Sequence, residues 1–145
     1  GDARVINASI SRAACPQDIF SIVREHHRDL DHRHVGMAFN NLGKMAIRLG
    51  KLDHSPQHLT ADEDFQQLLF VVRRLAGQER FSGRTVANTT HAIAKLHAAD
   101  RLDATVGSVD ATLVALEGEA VRVARDMNSQ AVANTVYAYG ILGRM

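Results

Sequence analysis

Apolar residues recur along the chain at helical spacing in several separate stretches, and none shows the alternation of a β-strand. The clearest run is Phe65, Leu68, Leu69, Val72 and Leu75, which follows i, i+3, i+4, i+7 spacing and predicts an amphipathic helix over residues 61–76. Thr60-Ala61-Asp62-Glu63 at its start has the form of a capping box. Ile19, Phe20, Ile22 and Val23 predict a helix over residues 17–28, with Pro16 suited to the first turn. Leu113, Leu116, Ala120, Val121 and Val123 predict another over residues 109–125, weakened in its middle by Gly118. Residues 3–14 are expected to form a short capping helix.

Each of the three longer helices is followed by a second one, and the second helices align without gaps. Leu30-Asp31-His32-Arg33-His34-Val35, Phe81-Ser82-Gly83-Arg84-Thr85-Val86 and Met127-Asn128-Ser129-Gln130-Ala131-Val132 each open on an apolar residue, then Asp, Ser or Asn, then valine four places later. Asp31, Ser82 and Asn128 are residue types whose side-chain oxygen caps the free N–H groups of a first turn. The preceding apolar residue can pack on the valine as a hydrophobic staple. The likeness runs on through Leu42, Ile93 and Tyr139 to Met45, Leu96 and Leu142, with small residues at Gly43, Ala94 and Gly140. From Val35 to Val86 is 51 residues and from Val86 to Val132 is 46, a long and variable period typical of stacked helix pairs. The expected architecture is therefore all-α, an α-solenoid of three helix–turn–helix repeats over residues 16–50, 60–99 and 109–145, in a single domain. The third unit stops without a polar capping helix, so a fragment of a longer array is expected.

Composition narrows the function classes. Hydrophobic residues at 46% and charged ones at 23% are ordinary for a folded domain of 145 residues, which argues against disorder. No apolar run approaches the roughly 18–20 residues of a membrane span. Gly1-Asp2-Ala3-Arg4 carries no signal pattern, so a targeting peptide is expected to have been removed or never included. The net charge of +1 does not by itself announce nucleic acid, but of 17 basic residues only Lys44, Lys51 and Lys95 are lysine. Arginine is the better phosphate fork and base-stacking group.

Chemistry of other kinds finds little footing. Cys15, the single cysteine, excludes an intramolecular disulfide and a cysteine-based zinc site, and no base stands beside it in sequence. Eight histidines cluster at His26-His27, His32 with His34, and His54 with His58, but Pro56 separates the last pair and no acidic base accompanies it. Asp62, Glu63 and Asp64 sit where a helix start favours negative charge. With no phosphate-cradling glycine loop, nucleophile elbow or zinc-protease pattern, no enzyme activity, metal or cofactor is expected.

Phe81 to Leu96, reading Phe-Ser-Gly-Arg-Thr-Val-Ala-Asn-Thr-Thr-His-Ala-Ile-Ala-Lys-Leu, resembles the second helix of an octotricopeptide repeat. Met127 to Leu142 is similar, and Asp64-Phe65 with Leu68-Leu69 resembles the opening of that repeat's first helix. Residues 10–45 look like the divergent first unit of such proteins and of their relatives with a RAP domain. The proline-rich start of the repeat is absent, and its tryptophan column holds Asn40, His91 and Tyr137.

The resemblance implies a mitochondrial or plastid protein that binds messenger or ribosomal RNA through its stacked first helices and acts in RNA stability, splicing, maturation or translation. The alternative it leaves open is a protein–protein scaffold, or a structural subunit of an organellar ribosome or other large complex. Polar residues on the first helices would form the RNA track: Arg24 and Arg28, then Gln66, Gln67, Arg73 and Arg74, then Arg122 and Arg125. On that expectation, replacing Arg73 and Arg74 together lowers RNA affinity and its salt dependence. The ordinary role of such residues is the solvated face of an amphipathic helix.

Overall fold

The computed structural model describes residues 3–49 and 59–144, and the regular elements among them are all helical. They are α1 (Ala3–Arg12), α2 (Pro16–His26), α3 (His32–Leu49), α4 (Glu63–Gly77), α5 (Gly83–Ala98), α6 (Gly107–Val123) and α7 (Ser129–Leu142). Single 3₁₀ turns at His27–Asp29 and Ala124–Asp126 carry α2 and α6 on towards the ends expected from sequence. Residues 50–58, between the first two expected units and including His54 and His58, lie outside the described residues.

The three aligned caps form as hydrogen bonds. Asp31 Oδ1 accepts from the backbone N–H groups of Arg33 and His34 at 2.9 and 3.0 Å. Ser82 and Thr85 make a reciprocal capping box, and Asn128 Oδ1 accepts from the Ala131 N–H at 2.7 Å. The start of α4 differs from expectation. Asp62 is its cap, accepting from the N–H groups of Asp64 and Phe65, while Thr60 belongs to the preceding 3₁₀ turn and its carbonyl accepts from the Gln66 amide at 2.8 Å. Two potential caps two residues apart compete, and the carboxylate takes the helix. Gly118 does not interrupt α6.

Helices α2, α4 and α6 lie side by side in one layer, and α3, α5 and α7 in a second, with α1 against α2 and α3. The core fills the space between the layers. Phe65 meets Phe20 and Phe39 edge-on, at ring separations of 6.2 and 6.0 Å, and Leu68, Val72, Ile93, Leu96, Leu113 and Leu116 continue the core along the molecule.

Small residues set the spacing of the second layer. A Cβ on Gly36 would lie 3.8 Å from Thr85, and one on Gly43 3.7 Å from Ala92, so α3 and α5 approach as closely as ordinary contact allows. Ala87 and Ala94 hold the corresponding places on α5. Val35 and Val86 are fully buried, but Val132, their counterpart on α7, is 45% exposed, so the third staple does not enclose its valine.

Candidate nucleic-acid interface

The eight polar residues expected to face RNA from the first helices do not form one track. Arg24 pairs with Asp64 across α2 and α4 at 2.6 Å, and that hydrogen bond raises its pKa further. Gln66 bonds the Thr60 carbonyl, and Gln67 is half-buried on α4. Arg73 donates to the Ser108 carbonyl at 3.1 Å and the Thr112 hydroxyl at 2.8 Å, tying α4 to α6. Arg28 and Arg125 are exposed in the turns that follow α2 and α6.

Arg74 and Arg122 have matching tasks. Arg74 on α4 donates to the carbonyls of His27 and Leu30, both at 3.3 Å. Arg122 on α6 donates to the carbonyl of Phe81 at 2.8 Å. Leu30 and Phe81 are the aligned residues just ahead of the α3 and α5 caps, so each arginine fastens its own helix pair to the turn of the preceding one. Behind Arg122 stands Glu119, 4% exposed, which binds that guanidinium at 2.6 and 2.9 Å and accepts the Phe81 N–H at 3.3 Å.

The structure instead assembles a polar track on the second helices. Between α3 and α5 lies a groove of about 570 Å³ whose polar lining includes Arg33, Asn40, Ser82, Arg84 and Asn88. Between α5 and α7 lies a smaller one, about 250 Å³, lined by Arg84, Asn88, Asn128, Gln130 and Asn134 among others. The two grooves share Arg84 and Asn88. Two residues beyond each cap stand Arg33, Arg84 and Gln130; six beyond stand Met37, Asn88 and Asn134. Gly36 and Ala87, five beyond their caps, line the grooves and leave the space open. A third hollow, lined by Arg28, Arg33, Arg74 and Arg80 together with Asp29 and Asp31, joins the first at His32 and Arg33.

Arg33 and Arg84 are exposed, and neither guanidinium makes a hydrogen bond or ion pair among the described residues. They are therefore open to a ligand in a way that Arg24, Arg73, Arg74 and Arg122 are not. The aligned segments already place Arg33, Arg84 and Gln130 in one column; periodicity on the first helices draws attention away from it.

Two half-buried histidines pack among the second helices. His32 lies against the Thr85 hydroxyl at 3.1 Å and the Phe81 ring, and His91 against the Tyr137 ring. Burial holds both below their ordinary value of 6.5, with Lys95 adding to the effect on His91. The unfolded chain thus takes up protons that the folded chain resists, so stability is full above pH 6.5 and declines as the pH falls below it. Tm should drop between pH 7 and pH 5.5, and less so in His32→Gln/His91→Gln. An equal drop in the double variant would rule out these two groups as the cause.

No family model, curated protein or solved structure matches this chain. Among the described residues, no three His, Cys, Asp or Glu side chains are placed to hold a metal ion, and no helix is long and apolar enough to cross a membrane.

Proposed function

We propose that this chain is an RNA-binding helical-repeat protein, an α-solenoid of three helix–turn–helix repeats acting on organellar messenger or ribosomal RNA. The observation that carries the reading is the pair of successive grooves on the second helices, with Arg33 and Arg84 at matching positions and their guanidinium groups unpaired among the described residues. Arginine forks or stacks with equal facility on a single strand, and the amides of Asn88 and Asn134 suit base edges. Arg28 and Arg125 are exposed at the neighbouring turns, each followed by an exposed aspartate, Asp29 and Asp126. The contact surface in this reading is that of α3, α5 and α7, while arginines of α4 and α6 hold the stack together. By octotricopeptide resemblance the protein works in a mitochondrion or plastid, on RNA stability, maturation, splicing or translation, and it is a binding module rather than an enzyme.

Titration of the protein with single-stranded RNA at several salt concentrations tests this. Affinity should fall steeply as salt rises, and Asn88→Ala should narrow the difference between RNA sequences while leaving the salt slope unchanged. Absence of salt-dependent binding would remove RNA as the partner. The second reading, a structural subunit of an organellar ribosome or other large complex, draws on the exposed apolar side chains of α7, Val132, Val136 and Tyr137.

A further inference from the structure

The turn between α2 and α3 meets the end of α4 in a hollow of about 630 Å³. Its charge is mostly arginine: Arg28 from the turn, Arg33 from the start of α3, and Arg74 and Arg80 from the end of α4, against Asp29 and Asp31. The backbone places Arg80 there. Glu79 takes the left-handed conformation, with φ at 55°, and closes α4. Its own N–H donates to the Ala76 carbonyl and the Arg80 N–H to the Leu75 carbonyl, both at 3.0 Å, which turns the chain back beside Arg74.

Acceptors at this junction are engaged and donors are left over. The carbonyls of His27 and Leu30 accept from Arg74, and that of Arg74 accepts from the Gln78 N–H at 3.2 Å. Asp31 caps α3, and Asp29 is engaged as well. A guanidinium has five N–H donors. Arg74 gives two of them to those carbonyls, at 3.3 Å. The side chains of Arg28, Arg33 and Arg80 are exposed and make no hydrogen bond or ion pair among the described residues.

The same junction is built a second time, where the turn before α5 meets α6, and there the charge is balanced from within. Arg122 holds the Phe81 carbonyl as Arg74 holds that of Leu30. Glu119, three residues before Arg122, binds its guanidinium, whereas the same place before Arg74 is the buried Val71. Glu79 stands in the column of Arg28. At the first junction, four arginines and two aspartates leave a formal charge of 4 − 2 = +2. Guanidinium forks match phosphate oxygens in both charge and geometry. The hollow shares His32 and Arg33 with the α3–α5 groove, so a strand lying in that groove runs directly into it.

We infer that this hollow holds a phosphate group of the RNA strand that occupies the α3–α5 groove, an inference that rests on the RNA reading above. A strand ending there in a phosphate monoester, which carries about 1.5–2 negative charges, matches the excess more closely than an internal phosphodiester with one. The test is titration of the intact protein, over a range of salt, with one single-stranded RNA oligonucleotide bearing a 5′-phosphate, a 3′-phosphate or hydroxyl ends. Arg28→Ala combined with Arg80→Ala should weaken binding about 10-fold at low salt and lower the salt slope by about 0.7, the share of one phosphate, with Tm unchanged. A preference for one phosphorylated end that disappears in this variant assigns the hollow to a terminal phosphate, and an equal loss on all three forms assigns it to an internal one. Arg12→Ala with Arg125→Ala removes the same charge elsewhere and should change binding less. Arg125 follows α6, and Arg12 lies two residues past Ile10, whose carbonyl accepts from Asn41 in the second half of α3. If the Arg28/Arg80 variant binds like wild type, or no more weakly than the Arg12/Arg125 variant, the inference is overturned and the groove reading stands. Absence of salt-dependent RNA binding by the wild type overturns both.

Discussion

Arg33→Ala combined with Arg84→Ala should weaken single-stranded RNA binding on the order of 10- to 100-fold at low salt, through loss of charge-assisted contacts to phosphate. The slope of log affinity against log salt should fall by about 1.4, because each phosphate contact to a single strand contributes about 0.7. Neither guanidinium is tied to the protein among the described residues, so Tm should hardly move. The contrasting pair is Arg73→Ala with Arg74→Ala. Arg73 holds the Ser108 carbonyl and the Thr112 hydroxyl, and Arg74 the carbonyls of His27 and Leu30. Their removal should lower Tm while leaving the salt slope of the remaining folded protein nearly intact. If instead the Arg73/Arg74 pair changes the slope and the Arg33/Arg84 pair does not, RNA runs along the first helices.

The second large effect is on stability. Glu119→Ala should cost about 2–3 kcal/mol, less than the roughly 3–5 kcal/mol for breaking a fully buried ion pair, because the Arg122 side chain is still 34% exposed and regains water. Truncation strands the N–H of Phe81 and frees the guanidinium that holds the Phe81 carbonyl, so one carboxylate supports both backbone groups of the residue entering α5. Tm should fall by about 4–12 °C for a chain of this size. Glu119→Gln should lose less, since its carbonyl can still accept from Phe81. Thermal denaturation followed by circular dichroism decides the matter, and equal Tm for wild type and Glu119→Ala would show that the latch contributes nothing.

Local features of this protein are legible in its sequence and distant ones are not. The caps at Asp31, Ser82 and Asn128 depend on bonds within three residues, and each forms where the aligned starts place it. The misplaced start of α4 is also local: Thr60 and Asp62 both suit a cap, and spacing alone does not choose between them. Arginine roles lie at another range. Arg73 finds its partners 35 and 39 residues away, Arg74 at 44 and 47, and Arg122 reaches Phe81 across 41. Each is an exposed charge by helical periodicity and a fastener in the fold. Val132 teaches the same lesson from the apolar side. The column it shares with Val35 and Val86 marks a position fit for burial, but burial needs a neighbour, and among the described residues α7 has none on that flank.

The most direct test of RNA binding along the second helices is photochemical cross-linking of a mixed-sequence single-stranded RNA to the intact protein, with the attachment sites mapped by mass spectrometry. Cross-links should fall in the first halves of α3, α5 and α7, within residues 32–40, 83–91 and 129–137. Cross-links confined to α2, α4 and α6, or none above background at low salt, would contradict it.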